Sequence, residues 1–149
     1  MHQKIERRKM QTFLPYSDFT RSARVLDYKR LGKQRIEVKQ IYNALTVSGH
    51  GWRHHPAVKM WKGYEKALVK YGIEICREWR RRGYRDEQLG WFLLRYSEHK
   101  ERVKYPPWLG TWKFHKSHQS NLLRKDREYY RKWFSNIPSN LPYEWNKGE

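Results

Sequence analysis

The chain has one cysteine, Cys76, in 149 residues. An intrachain disulfide is therefore excluded, and a reducing compartment such as the cytoplasm suits it. No apolar run approaches the ~18 residues of a membrane helix, and no basic helix has a clean greasy face, so neither a span nor a membrane-bound helix is expected. Met1 to Lys9 is basic and lacks the apolar centre of a signal peptide. Leu, Ile and Val are few, which leaves much of the interior to be filled by rings. The sharpest scarcity is of acid: 15 Asp+Glu stand against 33 Lys+Arg, for a net charge of +18. Between Tyr28 and Tyr64 there is a single carboxylate, Glu37, set among Lys29, Arg30, Lys33, Arg35, Lys39, Arg53, Lys59 and Lys62. A cationic surface attracts polyanions, whereas a lone acid within it repels phosphate, so Glu37 requires a structural or a chemical reason.

What is abundant points the same way. The 8 Trp, 11 Tyr and 5 Phe exceed the needs of a small core, and rings interleaved with Lys and Arg can stack on unpaired bases while the cations hold phosphates. Double-stranded DNA is the expected partner, bound by a monomer acting at the nucleoid of the cytoplasm. Most rings nevertheless belong in the core. Trp52, Trp61 and Trp108 lie near Gly or Pro turns and are the candidates for wedges or stacking platforms; Trp61 also fits a core stripe, and Trp108 after Pro106-Pro107 is the freer ring. The length fits one domain, 10–149, behind a basic N-terminal extension, 1–9.

The periodicity predicts an all-α fold with no alternating strand. Asp18 and Asp27 read as helix caps, the second before a helix to about Val47 whose inward face is Tyr28, Leu31, Val38, Tyr42 and Leu45. Arg30, Gln34, Glu37 and Ile41 form a half-buried stripe beside that face, with Lys29 and Lys33 pointing away. Gly32 weakens this helix and permits a close approach. After a loop at Gly49 and Gly51, one long helix is expected from Pro56 to Gly83, with four arginines, Arg77, Arg80, Arg81 and Arg82, at its end; Cys76 borders its apolar face as a buried thiol. A third helix is expected from Asp86 to about Arg102 with Leu89, Phe92 and Leu93 inward, a fourth from a Ser117 cap through Arg124, and a fifth from Asp126 through Phe134. The tail from Ser135, with Pro138, Pro142, Tyr143 and Trp145, is expected to lie extended on the body.

The candidate chemistry centres on Glu37, as a general acid/base or as a carboxylate that stabilises the cationic, sugar-like transition state of base excision. A structural ion pair with Arg30 or Arg35 would explain it equally. Arg30 and Gln34 would hold a phosphate, read a base edge, or satisfy Glu37. His55, before Pro56, would be a neutral acid/base or a helix cap, and His118 would touch substrate. His115 and His118 at i, i+3, with His54 and His55, raise a metal-nuclease alternative, although no Cys pair or acidic cluster completes a ligand set and no cofactor is expected.

The run Leu26-Asp27-Tyr28-Lys29-Arg30-Leu31-Gly32-Lys33-Gln34-Arg35-Ile36-Glu37, preceded by Met10-Gln11-Thr12-Phe13-Leu14-Pro15, resembles the bacterial and archaeal branch of the pyrimidine-dimer DNA glycosylases (the endonuclease V-like family). Gly51-Trp52-Arg53-His54-His55-Pro56-Ala57-Val58, Trp61-Lys62-Gly63-Tyr64 and His115-Lys116-Ser117-His118 agree. The resemblance implies a compact all-α DNA glycosylase with AP lyase activity. In the family's founding phage enzyme an N-terminal α-amine forms a Schiff base with the sugar and then cleaves the strand by β-elimination, assisted by a glutamate, while arginines hold the phosphates. Where its motif reads Tyr-Arg-Glu-Leu-Pro-Arg, this chain has Tyr28-Lys29-Arg30-Leu31-Gly32-Lys33. The acid position is therefore Arg30, and Glu37, two turns further on, would supply the carboxylate instead. Met10 or a lysine would supply the amine. In this reading Glu37, Arg30, His55 and His118 are the catalytic set; Lys29, Lys33, Arg53, Arg81 and Lys125 hold phosphates; Gln34, Trp52 and Trp108 complete the substrate contacts. The rival reading is a non-catalytic DNA-binding protein.

Overall fold

The computed structural model describes residues 10–144; the expected basic extension and Trp145 lie outside the described residues. Seven helices and no strand occur among these residues: α1 (Phe19–Val25), α2 (Tyr28–Thr46), α3 (Pro56–Lys59), α4 (Glu65–Arg81), α5 (Leu89–Glu98), α6 (Trp112–Lys125) and α7 (Arg127–Phe134). The expected all-α class is the observed one. Asp18 caps α1 by accepting from Arg21 N, and Asp126 caps α7 by accepting from Tyr129 N. Pro56 occupies the first turn of α3.

Helix α4 is the hub, packing against α1, α2 and α5 while α6 and α7 pair with each other. Two glycines set the closeness of that packing. A Cβ on Gly72 of α4 would lie 2.5 Å from Phe92 Cε1, and one on Gly32 of α2 would lie 2.9 Å from the Trp79 ring. The close approach at Gly32 is thus to the Trp79 indole rather than to a backbone.

Segment 10–15 runs buried through the molecule without belonging to a helix. Backbone groups removed from water require partners, and side chains from four directions supply them. Phe13 N donates to Gln34 Oε1 at 3.1 Å, and the Tyr71 hydroxyl reaches Phe13 O at 2.6 Å. Leu14 N donates to His118 Nδ1 at 3.1 Å, and Leu14 O accepts from His115 Nδ1 at 2.7 Å. Thr12 O accepts from the Tyr143 hydroxyl at 3.0 Å, and Pro15 O from Gln119 Nε2 at 2.8 Å. The tail expected to be extended from Ser135 instead turns through 135–140 and lies extended on the body only over 141–144, with Leu141 N and Glu144 N donating to Ser120 and Ser117.

Several local expectations are corrected. The single helix from Pro56 to Gly83 is two: α3 stops at Lys59, and turns through Met60 and Trp61 lead to Gly63 at φ 88°, a left-handed conformation between α3 and α4. Ser117 lies within α6, not at its start, its hydroxyl donating to Phe114 O. Tyr28 and Leu93, expected inward, are 56% and 43% exposed. Tyr28 is the first residue of α2, beyond the edge of the core, and α5 buries only Phe92 against α4. Of the stripe expected to be half buried, Arg30 is so, whereas Gln34 and Ile41 are fully buried and Glu37 is 7% exposed; segment 10–15 hydrogen-bonds to Gln34 through Gln11 and Phe13. Trp108, expected to be the freer ring, is in the core with its indole N–H donating to Met60 O at 3.0 Å.

Candidate active-site cleft

A cleft of about 310 Å³ opens where α2, segment 10–15 and the end of α6 meet. It is lined by Gln11, Phe13, Lys29, Arg30, Lys33, Glu37 and Lys125. Three successive turns of α2 supply Lys29, Lys33 and Glu37 at i, i+4, i+8, so these residues share a face. The expectation that the two lysines point away from Glu37 is therefore corrected. Lys125 comes from the last turn of α6.

The carboxylate is held from behind. Gln34 Nε2 donates both to Glu37 Oε1 at 3.0 Å and to Gln11 O at 2.7 Å. Gln34 Oε1 lies 3.1 Å from Phe13 N and 2.7 Å from the Tyr71 hydroxyl. The amide is thus fully engaged, and its orientation is settled by two acceptors on one side and donors on the other. Gln34 positions Glu37 and the N-terminal segment together. Burial raises the Tyr71 phenol well above its ordinary value, with the charge of Glu37 adding to the effect, so Tyr71 remains a neutral donor. Arg30 directs a guanidinium nitrogen to Asp27 Oδ1 at 3.1 Å, and Arg35 directs one to Asp86 Oδ1 at 2.7 Å. These are the two arginines that a structural ion pair with Glu37 would use.

The cleft gathers Glu37, Arg30, Lys29, Lys33 and Lys125 from the sequence-predicted set, with Gln34 behind it. The others lie elsewhere. His55 caps α3, its Nδ1 accepting from Ala57 N at 3.0 Å. Trp52 is half buried against the core. Arg53 is exposed and donates to His50 O. Arg81 makes a two-point contact with Glu78 at 2.8 and 2.7 Å. His118 is fully buried between the rings of Phe114 and Tyr143, and burial pushes its pKa down to about 3. Its Nδ1 accepts from Leu14 N while Nε2 faces Glu144 O, and His115 grips Leu14 O and Gly110 N. Both imidazoles are therefore occupied by backbone groups, and no group of three or more potential metal ligands occurs among the described residues. Gln11 and Phe13 line the cleft without having been singled out; their place in the Met10–Pro15 motif was the available signal.

No helix among the described residues is long and apolar enough to cross a membrane. Comparison with the curated proteins and with the solved structures gives no match. The model of one family, pyrimidine dimer DNA glycosylase, matches residues 10–90. That span runs from the buried N-terminal segment through α4 to the start of α5 and includes every cleft residue except Lys125. Since it covers more than half of the sequence, the chain belongs to the pyrimidine dimer DNA glycosylase family.

Proposed function

We propose that this cleft excises a damaged or modified base from double-stranded DNA, with Glu37 stabilising the positive charge that develops on the sugar as the glycosidic bond breaks. The observation that carries this reading is the arrangement of charge. One carboxylate, 7% exposed and held by Gln34, faces a cleft whose other charged groups are Lys29, Arg30, Lys33 and Lys125. The cations suit the flanking phosphates, and the acid suits the one part of the substrate that becomes cationic.

Strand cleavage requires an amine that attacks the sugar carbon, forms an imine, and permits β-elimination. Lys29, Lys33 and Lys125 are amines that line the cleft. A terminal amine at Met10 would also lie beside it, since the next residue, Gln11, shares Gln34 Nε2 with Glu37.

The test uses duplexes that carry a pyrimidine dimer, an abasic site or a modified base, with borohydride present and the trapped peptide mapped. Base release by the wild type and its loss, roughly 100-fold or more, in Glu37→Gln are expected. DNA affinity should be equal or tighter in the variant, because a charge that repels phosphate is removed. Release undiminished in a folded Glu37→Gln protein would end the assignment of Glu37. An adduct at a lysine or at Met10 identifies the nucleophile, and base release without an adduct identifies water.

A further inference from the structure

Gln11 lines the Glu37 cleft and is 8% exposed. Its place there is fixed twice. The backbone is held by Gln34, whose Nε2 donates to Gln11 O at 2.7 Å and to Glu37 Oε1 at 3.0 Å. One amide nitrogen thus ties Gln11 to the carboxylate. The side chain is held from α6, where Asn121 Nδ2 donates to Gln11 Oε1 at 3.2 Å.

The polarity of that second hold is set by an arginine. A guanidinium carries donors only, so the atom of Asn121 that faces Arg124, at 3.3 Å, is its oxygen. The Asn121 NH2 therefore turns to Gln11, which answers with its oxygen, and the opposite end of the Gln11 amide is its NH2, a donor. Arg124 is itself gripped by the tail, donating to Ser139 O at 2.9 Å and to Leu141 O at 2.8 Å. Tail carbonyls, Arg124, Asn121 and Gln11 form one directed chain, and all of it but Gln11 lies beyond the residues that the family model matches, 10–90.

A neutral donor tied to a carboxylate suits the two charges that appear when a glycosidic bond breaks. The electron pair of that bond goes to the base nitrogen. The base becomes an anion whose charge spreads to the ring acceptor beside that nitrogen, O2 of a pyrimidine or N3 of a purine, while the sugar becomes cationic at C1′. We infer that Gln11 is a catalytic residue of the excision, its Nε2 donating to that acceptor as charge builds on the departing base, and that Asn121 and Arg124 position it. The inference rests on the excision reading above, and it adds a group that receives the base to the one, Glu37, that stabilises the sugar. The base then takes a proton from water, and C1′ takes the amine or water that completes the reaction.

The main test is Asn121→Asp in the full chain. It keeps the shape and the contact with Arg124, but a carboxylate cannot donate, so the Gln11 amide must turn its NH2 to position 121 and its oxygen to the cleft. Single-turnover base release from the duplexes named above should fall roughly 100-fold in Asn121→Asp and in Gln11→Ala. In parallel, affinity is measured for a duplex in which a cationic pyrrolidine without a base replaces one sugar, relative to a duplex with the neutral tetrahydrofuran there. The wild type should prefer the pyrrolidine, and Glu37→Gln should lose that preference. Gln11→Ala and Asn121→Asp should keep it, since the probe has no base to receive. Undiminished release in a folded Gln11→Ala protein overturns the role of Gln11, and undiminished release in folded Asn121→Asp overturns its orientation by Asn121. Loss of the pyrrolidine preference together with base release also overturns the role, because Gln11 would then only hold Glu37 in place. Should one variant fail to fold, the other decides. If the wild type shows no Glu37-dependent preference, or releases no base from any duplex, the excision reading falls and this inference with it.

Discussion

Leu14 has its N–H and its carbonyl read by two histidines in opposite tautomers: Nδ1 of His118 accepts, while Nδ1 of His115 donates. Protonating His118 would turn an N–H toward the Leu14 N–H. Burial accordingly lowers both pKa values, that of His118 to about 3. In the unfolded chain a histidine binds its proton near pH 6.5. As pH falls from 6.5 toward 3 the unfolded state therefore takes up protons that the folded state refuses, and stability is lost. At pH 5 the loss is about 2 kcal/mol for His118 alone. Paired carboxylates such as Glu78 and Asp86 have lowered pKa values and lose their contribution only further into acid. Urea denaturation at pH 7 and pH 5 measures the effect: the wild type should weaken between them, and His118→Gln should start weaker with a flatter dependence. Equal slopes would remove His118 from the account.

At the scale of elements, the face of α4 that meets α5 is specified by volume. Gly72 leaves room for Phe92, which is fully buried, and an added Cβ would lie 2.5 Å from its ring. Alanine would gain about 1 kcal/mol of helix propensity, yet it forces a ring out of a packed site at a cost of about 1–3 kcal/mol. Gly72→Ala should therefore be destabilising by about 0–2 kcal/mol net in thermal denaturation. A more stable variant would show that Phe92 repacks freely. The helices themselves were largely legible. Asp18, Asp27 and Asp126 mark starts that the structure keeps, and the 3.6-residue period placed Leu31, Val38 and Phe92 inward. Legibility failed at ends and edges. Periodicity continues through Trp61 although a left-handed Gly63 breaks the helix there, and Tyr28 fits the apolar stripe of α2 although no core reaches that far.

For the whole molecule the governing quantity is charge. With a net charge of +18, the proposed binding to DNA should have an affinity that falls steeply with salt, by a slope of about −0.9 in log–log form for each phosphate neutralised. Lys29, which lines the cleft with Lys33 and Lys125, is expected to hold one phosphate. Lys29→Ala should weaken binding to all duplexes alike and reduce the salt slope by about 1. A titration of affinity against potassium chloride checks this, and an unchanged slope would take Lys29 out of the phosphate contacts.

Composition and short-range pattern were enough to establish a basic, all-α chain without disulfides and a lone acid at Glu37, because charge and helical period are local properties. That Arg30 stands at the acid position of the founding motif is what the resemblance to that motif implies, not what composition or periodicity gives. The partners of the buried polar residues were decided by tertiary structure. Gln34, His115, His118 and Tyr143 read as site residues, metal ligands or tail until segment 10–15 is seen to pass among them with its backbone in need of hydrogen bonds. The same packing brings Lys125 to Lys29 across almost a hundred residues and sets Tyr28 on a stack begun by Trp79. Such contacts join residues distant in the chain, and no periodicity carries information about them.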